Sequence, residues 1–286
     1  MPVTVAEGAG FCFGVQRAVE GIFDLLGREH RRVVTLGPLI HNSQIAKALA
    51  ERGVETVEAV PERGFDGVVV LRSHGVPLHC HLQLAERGID SLDLTCPFVR
   101  RIHDAVREGS AQGRLVLIVG HADHPEVVGI CSFARAHEVF ASPEELAAFT
   151  QQNPGVEQRP VLLVAQTTFD VEQWRRCKNF VEKVYTNAQI SDTICNATEN
   201  RQRQAAALAA DSDAMLVVGA RHSSNTNRLY ELCRQHCARV LLVESASEIP
   251  AGFLQPGDKV GITAGASTPA YVIKEAADKC QTSTRP

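Results

Sequence analysis

Several common functional signatures are missing from this 286-residue chain. It has no G-x-G-x-x-G and no Walker A loop, which removes the usual sequence grounds for a nucleotide-binding module. Its nine cysteines include no C-x-x-C pair, so local zinc ribbons and knuckles are excluded. An odd cysteine count without an export signal also disfavours a disulfide framework. The start, Met1-Pro2-Val3-Thr4-Val5-Ala6-Glu7, has neither the basic stretch nor the apolar core of a secretory leader. Apolar runs such as Val68–Leu71 and Leu115–Val119 are far too short to span a bilayer. Basic residues are not in excess. The 29 Lys plus Arg against 33 Asp plus Glu leave a net charge of −4, which argues against a nucleic-acid partner but not against a small anion held by local dipoles. What is present, 44% hydrophobic and 22% charged residues, is the mix of a globular protein. The expectation is a cytoplasmic chain of two or three domains, or one large α/β unit, with no membrane and no nucleic-acid partner.

Short β-branched runs alternate with helical spacings from end to end. Strands are expected at Arg32–Leu36, Val68–Leu71, Leu92–Leu94, Leu115–Val119, Val161–Ala165, Met215–Val218, Val240–Val243 and Val260–Thr263. Nearly all are continuous apolar runs, which suits parallel strands covered on both faces by helices. Spacings of three and four, as in Val15–Val19–Ile22–Leu26 and Val99–Ile102–Val106, mark the helices between them. The fold class is therefore α/β.

The loops carry a repeat. Cys12, Cys96 and Cys195 each stand just ahead of a helical pattern. At nearly the same interval after each comes a polar loop: Gly37-Pro38-Leu39-Ile40-His41-Asn42, Gly120-His121-Ala122-Asp123-His124-Pro125-Glu126, and Gly219-Ala220-Arg221-His222-Ser223-Ser224-Asn225. A second set follows, Ser73-His74-Gly75, Gln166-Thr167-Thr168 and Ala264-Gly265-Ala266-Ser267-Thr268. Three α/β domains are read from this: 1–96, 97–193 and 194–281, with residues 1–13 available to pair with the last. Any α/β chain yields polar loops after strands, so the repeat gains its weight from what the loops contain.

A thiol at a helix N-terminus is favoured as thiolate, the form metals bind. Three thiolates without a fourth suit a centre with one open coordination position, and an iron–sulfur cluster is one such centre. Cys131, Cys177 and Cys280 read as small packed hydrophobes, and Cys80, Cys233 and Cys237 offer only weak ligand geometry. The loops are poor in Lys and Arg but rich in His, Ser, Thr, Asn and Gly, groups that hold phosphate through neutral donors and helix N-termini. His41, His74 and His124 are the histidines of these loops. Ser223-Ser224-Asn225 before an apparent helix is either an anion site or an ordinary cap. Glu126 is either a proton donor or a first-turn glutamate matching the helix dipole. Thr167 either orients a ligand or begins a turn.

Together these segments resemble the 4-hydroxy-3-methylbut-2-enyl diphosphate reductase (IspH/LytB) family. The likeness runs through Gly10-Phe11-Cys12-x-Gly14-Val15, Ile40-His41-Asn42, Ser73-His74-Gly75-Val76, Thr95-Cys96-Pro97, Gly120-His121-Ala122-x-His124-Pro125-Glu126-Val127, Gln166-Thr167-Thr168, Ile194-Cys195-x-Ala197-Thr198, Ser223-Ser224-Asn225 and Thr263-Ala264-Gly265-Ala266-Ser267. The resemblance implies three similar domains in pseudo-threefold arrangement around a [4Fe–4S] cluster held by Cys12, Cys96 and Cys195. It implies diphosphate contacts from His41, His74, Ser223, Ser224, Asn225 and Ser267, with His124 lining the same site. Glu126 matches the proton-delivery position and Thr167 the hydroxyl-orienting one. The implied activity is reductive loss of an allylic hydroxyl, giving isopentenyl and dimethylallyl diphosphates, with electrons from ferredoxin or flavodoxin. Phe13, Asn196 and Arg221-His222 depart from the common wording, and the ribosomal-S1-like extension of some relatives is not expected. The rival readings are an iron–sulfur lyase similar to quinolinate synthase and a non-catalytic phosphate- or nucleotide-binding protein whose cysteines are merely buried.

Overall fold

The computed structural model describes residues 2–282. Among these residues the chain forms β1 (Val3–Val5), α1 (Phe13–Leu26), β2 (Arg32–Leu36), α2 (Ser43–Ala50), β3 (Glu55–Val57), β4 (Gly67–Leu71), α3 (Leu78–Arg87) and β5 (Asp90–Asp93). The middle of the chain gives α4 (Pro97–Ala111), β6 (Leu115–Val119), α5 (Pro125–Ser132), β7 (His137–Phe140), α6 (Pro143–Gln152), β8 (Val161–Ala165), α7 (Val171–Val184) and β9 (Ala188–Ile190). The remainder gives α8 (Asn196–Ala210), β10 (Ala214–Val218), α9 (Ser224–His236), β11 (Val240–Val243), β12 (Val260–Ala264) and α10 (Ala270–Thr282). None of the described helices is long and apolar enough to cross a membrane.

The strands pair, all in parallel, into four-stranded sheets of order β3-β2-β4-β5, β7-β6-β8-β9 and β1-β12-β10-β11. The three orders follow one plan. The chain enters at an inner strand (β2, β6 or β10), steps to the adjacent edge (β3, β7 or β11), then takes the second inner strand (β4, β8 or β12). The far edge is β5, β9 or β1. The third sheet borrows this last strand from the start of the chain, with Val3 opposite Val260 and Val5 opposite Ile262.

The chain divides into two compact units. One contains the chain up to Gln16, His41–Ala46 and the described residues from Asn196 onward, with the β1-β12-β10-β11 sheet. The other contains Arg17–Ile40 and Lys47–Cys195, with the two remaining sheets.

The inner strands β4, β6, β8, β10 and β12 are buried at all five positions. Crossover helices cover both faces, so no polar alternation is needed, and each buried Val or Leu contributes about 1.5–3 kcal/mol. The apolar runs predicted these strands together with β2 and β11. The sequence reading omits β1, β3, β7 and β9, all edge strands of three or four residues with exposed positions. These four are only half covered, so their residues are mixed and leave no run to detect, whereas the edge strand β11 keeps the apolar run Val240–Val243 that the sequence reading found. The expected strand at Leu92–Leu94 lies at Asp90–Asp93, although the Leu94 amide still donates to the Leu71 carbonyl at 3.1 Å.

Candidate active site

Parallel strands send their loops to the carboxyl edge of each sheet, where ligands commonly bind. Cys12, Cys96 and Cys195 occupy one position in the shared plan: each follows the far-edge strand (β1, β5, β9) and leads into a long helix (α1, α4, α8). Cys96 is the N-cap of α4, with Pro97 at the first helical position. Each cysteine amide donates to a loop that follows the second inner strand of its own sheet. The bonds run from Cys12 to the Ala266 carbonyl at 3.1 Å, from Cys96 to that of Ser73 at 2.9 Å and from Cys195 to that of Thr167 at 3.1 Å. In every sheet a cysteine is thus tied to a loop that carries a candidate ligand-binding residue.

The three thiols are half-buried, whereas Cys80, Cys177, Cys233, Cys237 and Cys280 are buried. Burial pushes the Cys177 and Cys233 thiols up to about 12 and that of Cys280 to about 11. Such thiols pack as small hydrophobes. Cys131, also expected to pack, is half-buried, and desolvation raises its pKa. No three His, Cys, Asp or Glu side chains form a single-ion site among the described residues.

At the β7-β6-β8-β9 sheet, the loop after β6 ends at His124, the N-cap of α5. His124 Nδ1 accepts from the Glu126 amide at 3.2 Å, which leaves the proton of the neutral ring on Nε2. Glu126 itself turns inward and is 2% exposed. Its Oε1 accepts from the Thr167 amide at 2.6 Å and its Oε2 from Thr167 Oγ1 at 2.8 Å. Burial dominates those two hydrogen bonds and lifts the carboxyl from 4.5 to about 7. A glutamate that merely answered a helix dipole would sit in water and stay ionised. This one is poised to hold or release a proton near neutrality. His74, in the loop after β4, meets His124 edge to face with ring centroids 5.7 Å apart.

The other unit carries the remaining candidates. Ser223 caps α9, its Oγ accepting from the Thr226 amide at 3.4 Å, and Ser224 opens the helix. Asn225 is 5% exposed, and its Nδ2 is a buried donor with no hydrogen-bond partner among the described residues. A buried amide in that state costs free energy unless an acceptor arrives, and an anion would supply one. Ser267 Oγ donates to the His41 carbonyl at 2.8 Å, and the His41 ring stands edge to face with His222 at 5.4 Å. Gly265 lets this loop close on α9, because a Cβ there would lie 2.2 Å from Thr226 Oγ1. Thr268 Oγ1 fastens the loop further by donating to the Val218 carbonyl at 3.0 Å.

Comparison with known proteins bears directly on this arrangement. The LytB protein family model matches residues 3–281. The chain belongs to the LytB family. Curated LytB-like relatives named 4-hydroxy-3-methylbut-2-enyl diphosphate reductase include that of Alkaliphilus oremlandii, 39% identical over 285 residues, covering 98% of this chain and 99% of the relative. Another, from Caldanaerobacter subterraneus subsp. tengcongensis, is 37% identical over 282 residues, covering 98% and 96%. A solved structure of (E)-4-hydroxy-3-methyl-but-2-enyl diphosphate reductase, described as the terminal enzyme of the non-mevalonate pathway, is 34% identical with a TM-score of 0.70, covering 99% of this chain and all of its own. The corresponding reductase structure from Plasmodium falciparum, at 22% identity and TM-score 0.87 over 97% of this chain and 87% of its own, shares the fold.

The departures of this LytB chain from the common wording lie beside the candidate groups without removing one. Phe13 is 63% exposed at the start of α1, and Asn196 is exposed at the start of α8. Arg221 is exposed and pairs with Glu248. Residues to which sequence reasoning gave no role also shape the candidate site. Buried Gln166 accepts from the His121 amide at 3.2 Å and donates to Thr168 Oγ1 at 3.0 Å, locking the two loops of its sheet together. Arg17 and Arg201, whose guanidinium groups donate to backbone carbonyls just ahead of Cys96 and Cys12, were hidden because a charged residue on a helix normally faces water. The available signal was position, since Arg201 shares a buried stripe with Thr198, Ala205 and Ala209 at spacings of three and four.

Proposed function

We propose that the protein is a 4-hydroxy-3-methylbut-2-enyl diphosphate reductase acting in the cytoplasm. In this reading Cys12, Cys96 and Cys195 hold a [4Fe–4S] cluster. The observation that carries it is the repeated staple: at equivalent points of three sheets, a half-buried cysteine is bonded through its amide to a loop bearing His74, Thr167 or Ser267. Three soft thiolates are a natural donor set for iron–sulfur chemistry, and they fit a cluster with one ligand position unfilled by protein. Nine cysteines without a disulfide also suit a reducing compartment.

When bound, such a cluster supplies a Lewis-acidic iron with an open position and a path for electrons. The residues of the chain do the rest. His41, His74, His124, Ser223, Ser224, Asn225 and Ser267 bind the diphosphate through neutral donors, so the substrate is held without a permanent cation at its phosphorus oxygens. Thr167 Oγ orients the allylic hydroxyl and links it to Glu126. Glu126, protonated near neutral pH because it is buried, delivers a proton to the departing hydroxyl. The balance is two electrons and two protons in, one carbon–oxygen bond broken, water out, and an isopentenyl or dimethylallyl diphosphate left. The electrons come from a ferredoxin or flavodoxin.

The test is anaerobic turnover of the hydroxylated diphosphate with a chemical reductant. Formation of both five-carbon diphosphates is expected. A protein that takes up the cluster yet forms neither product would overturn the proposal.

A further inference from the structure

The backbone just before two of the three cysteines is gripped by a buried or half-buried arginine. Arg201, on α8 and 4% exposed, donates from Nη1 to the Ala264 carbonyl at 2.8 Å and from Nη2 to the Gly10 carbonyl at 3.0 Å. Gly10 lies two residues before Cys12, and Ala264 ends the strand whose loop receives the Cys12 amide. Arg17, on α1, donates from Nη1 to the Leu94 carbonyl at 3.3 Å and to the Thr95 carbonyl at 3.1 Å, immediately before Cys96. The two contacts follow one rule: the helix after one cysteine sends an arginine to the carbonyls that precede another. The third approach is held differently. Thr193, ahead of Cys195, donates from Oγ1 to the Ala165 carbonyl at 2.8 Å and accepts from the Ala165 amide at 2.7 Å.

A guanidinium is planar and always charged, and it presents several fixed donors, so it can satisfy two carbonyls at once and fix their separation. An ordinary packing contact would not select carbonyls at this one point of the repeat in two separate places. We propose that Arg17 and Arg201 are positioning residues that hold the Cys96 and Cys12 segments in the geometry that binds the cluster. This inference rests on the cluster reading above. Without the arginine the carbonyls of Gly10 and Ala264 lose a charged donor, and the Cys12 loop samples conformations in which its thiolate is off the metal.

The test uses the full chain, reconstituted anaerobically with iron and sulfide, and follows loss of the cluster's visible absorbance to a ferrous chelator. Thermal midpoints of the metal-free proteins are measured alongside. Arg201→Met and Arg17→Met should each lose the cluster about tenfold faster or more than wild type, the scale of a charge-assisted hydrogen bond. Arg201→Lys, which keeps the charge but not the fork, should fall between. Arg239→Met is the control: it breaks the ion pair to Asp258, which makes no contact with the segments before Cys12, Cys96 and Cys195, and should lower the thermal midpoint with cluster loss at the wild-type rate. Wild-type rates in both methionine variants would overturn the inference, as would equal acceleration in Arg239→Met. Should Arg201→Met not fold, the half-buried Arg17→Met decides the matter by the same rate. Wild-type protein that takes up no iron or sulfide would sink the functional reading itself, which separates the two failures.

Discussion

Replacing Glu126 by Gln separates the proton from everything else that this side chain does. The amide keeps an oxygen for the Thr167 N–H, and its nitrogen can donate to Thr167 Oγ1, so both hydrogen-bonded positions survive. What disappears is the transferable proton and the buried charge. Loss of the proton should lower turnover about 10²–10⁴-fold while substrate binding and cluster content stay near wild type. Loss of the charge should appear in stability. The folded carboxyl holds its proton up to about 7 rather than 4.5. The wild-type protein is therefore at its best, as far as this group is concerned, below 4.5. It loses stability as pH rises from 4.5 to about 7, and is flat above that. The full cost of ionising the buried group is about 3 kcal/mol. At roughly 2–4 °C per kcal/mol this is a fall in thermal midpoint of about 6–12 °C, which Glu126→Gln should lack. Steady-state turnover with a chemical reductant and calorimetry of the metal-free protein from pH 5 to pH 8 measure the two effects. Wild-type turnover in the variant, or an identical pH dependence of both midpoints, would refute the reasoning.

The other predictions concern the remaining groups. Thr167→Val keeps the backbone donor but removes the hydroxyl that favours ionised Glu126, so the pH at which activity falls on the alkaline side should move upward and kcat should drop. Cys12→Ser, Cys96→Ser and Cys195→Ser should each abolish turnover and reduce bound iron, whereas Cys131→Ser should retain both; equal tolerance of all four defeats the ligand assignment. Asn225→Asp replaces a buried donor that has no partner among the described residues by an acceptor at the proposed diphosphate site, and should raise KM roughly tenfold or more. An unchanged KM would remove Asn225 from the binding site.

How much of this was legible follows from where the information lay. Inner strands such as Val68–Leu71 and Leu115–Val119 are covered on both faces, so their burial is written as uninterrupted apolar runs. Edge strands such as Glu55–Val57 and Ala188–Ile190 are defined by pairing with a neighbour rather than by composition. The repeat of cysteine and loop was readable because chemistry at the carboxyl edge demands particular residue types at fixed intervals. The amide staples from Cys12, Cys96 and Cys195 were not readable, since backbone hydrogen bonds leave no trace in side-chain identity. Arg201 shows the same limit from the other side. Its letter signals solvent, and only the buried stripe around it says otherwise.

The most direct measurement is the iron and acid-labile sulfide content of protein purified under strict anaerobiosis, read beside turnover of the hydroxylated allylic diphosphate in the same preparation. The account predicts one [4Fe–4S] complement per chain, lost together with activity when Cys12, Cys96 or Cys195 becomes serine. Activity that persists in a preparation free of iron, or that survives removal of any one of those three thiols, would contradict it.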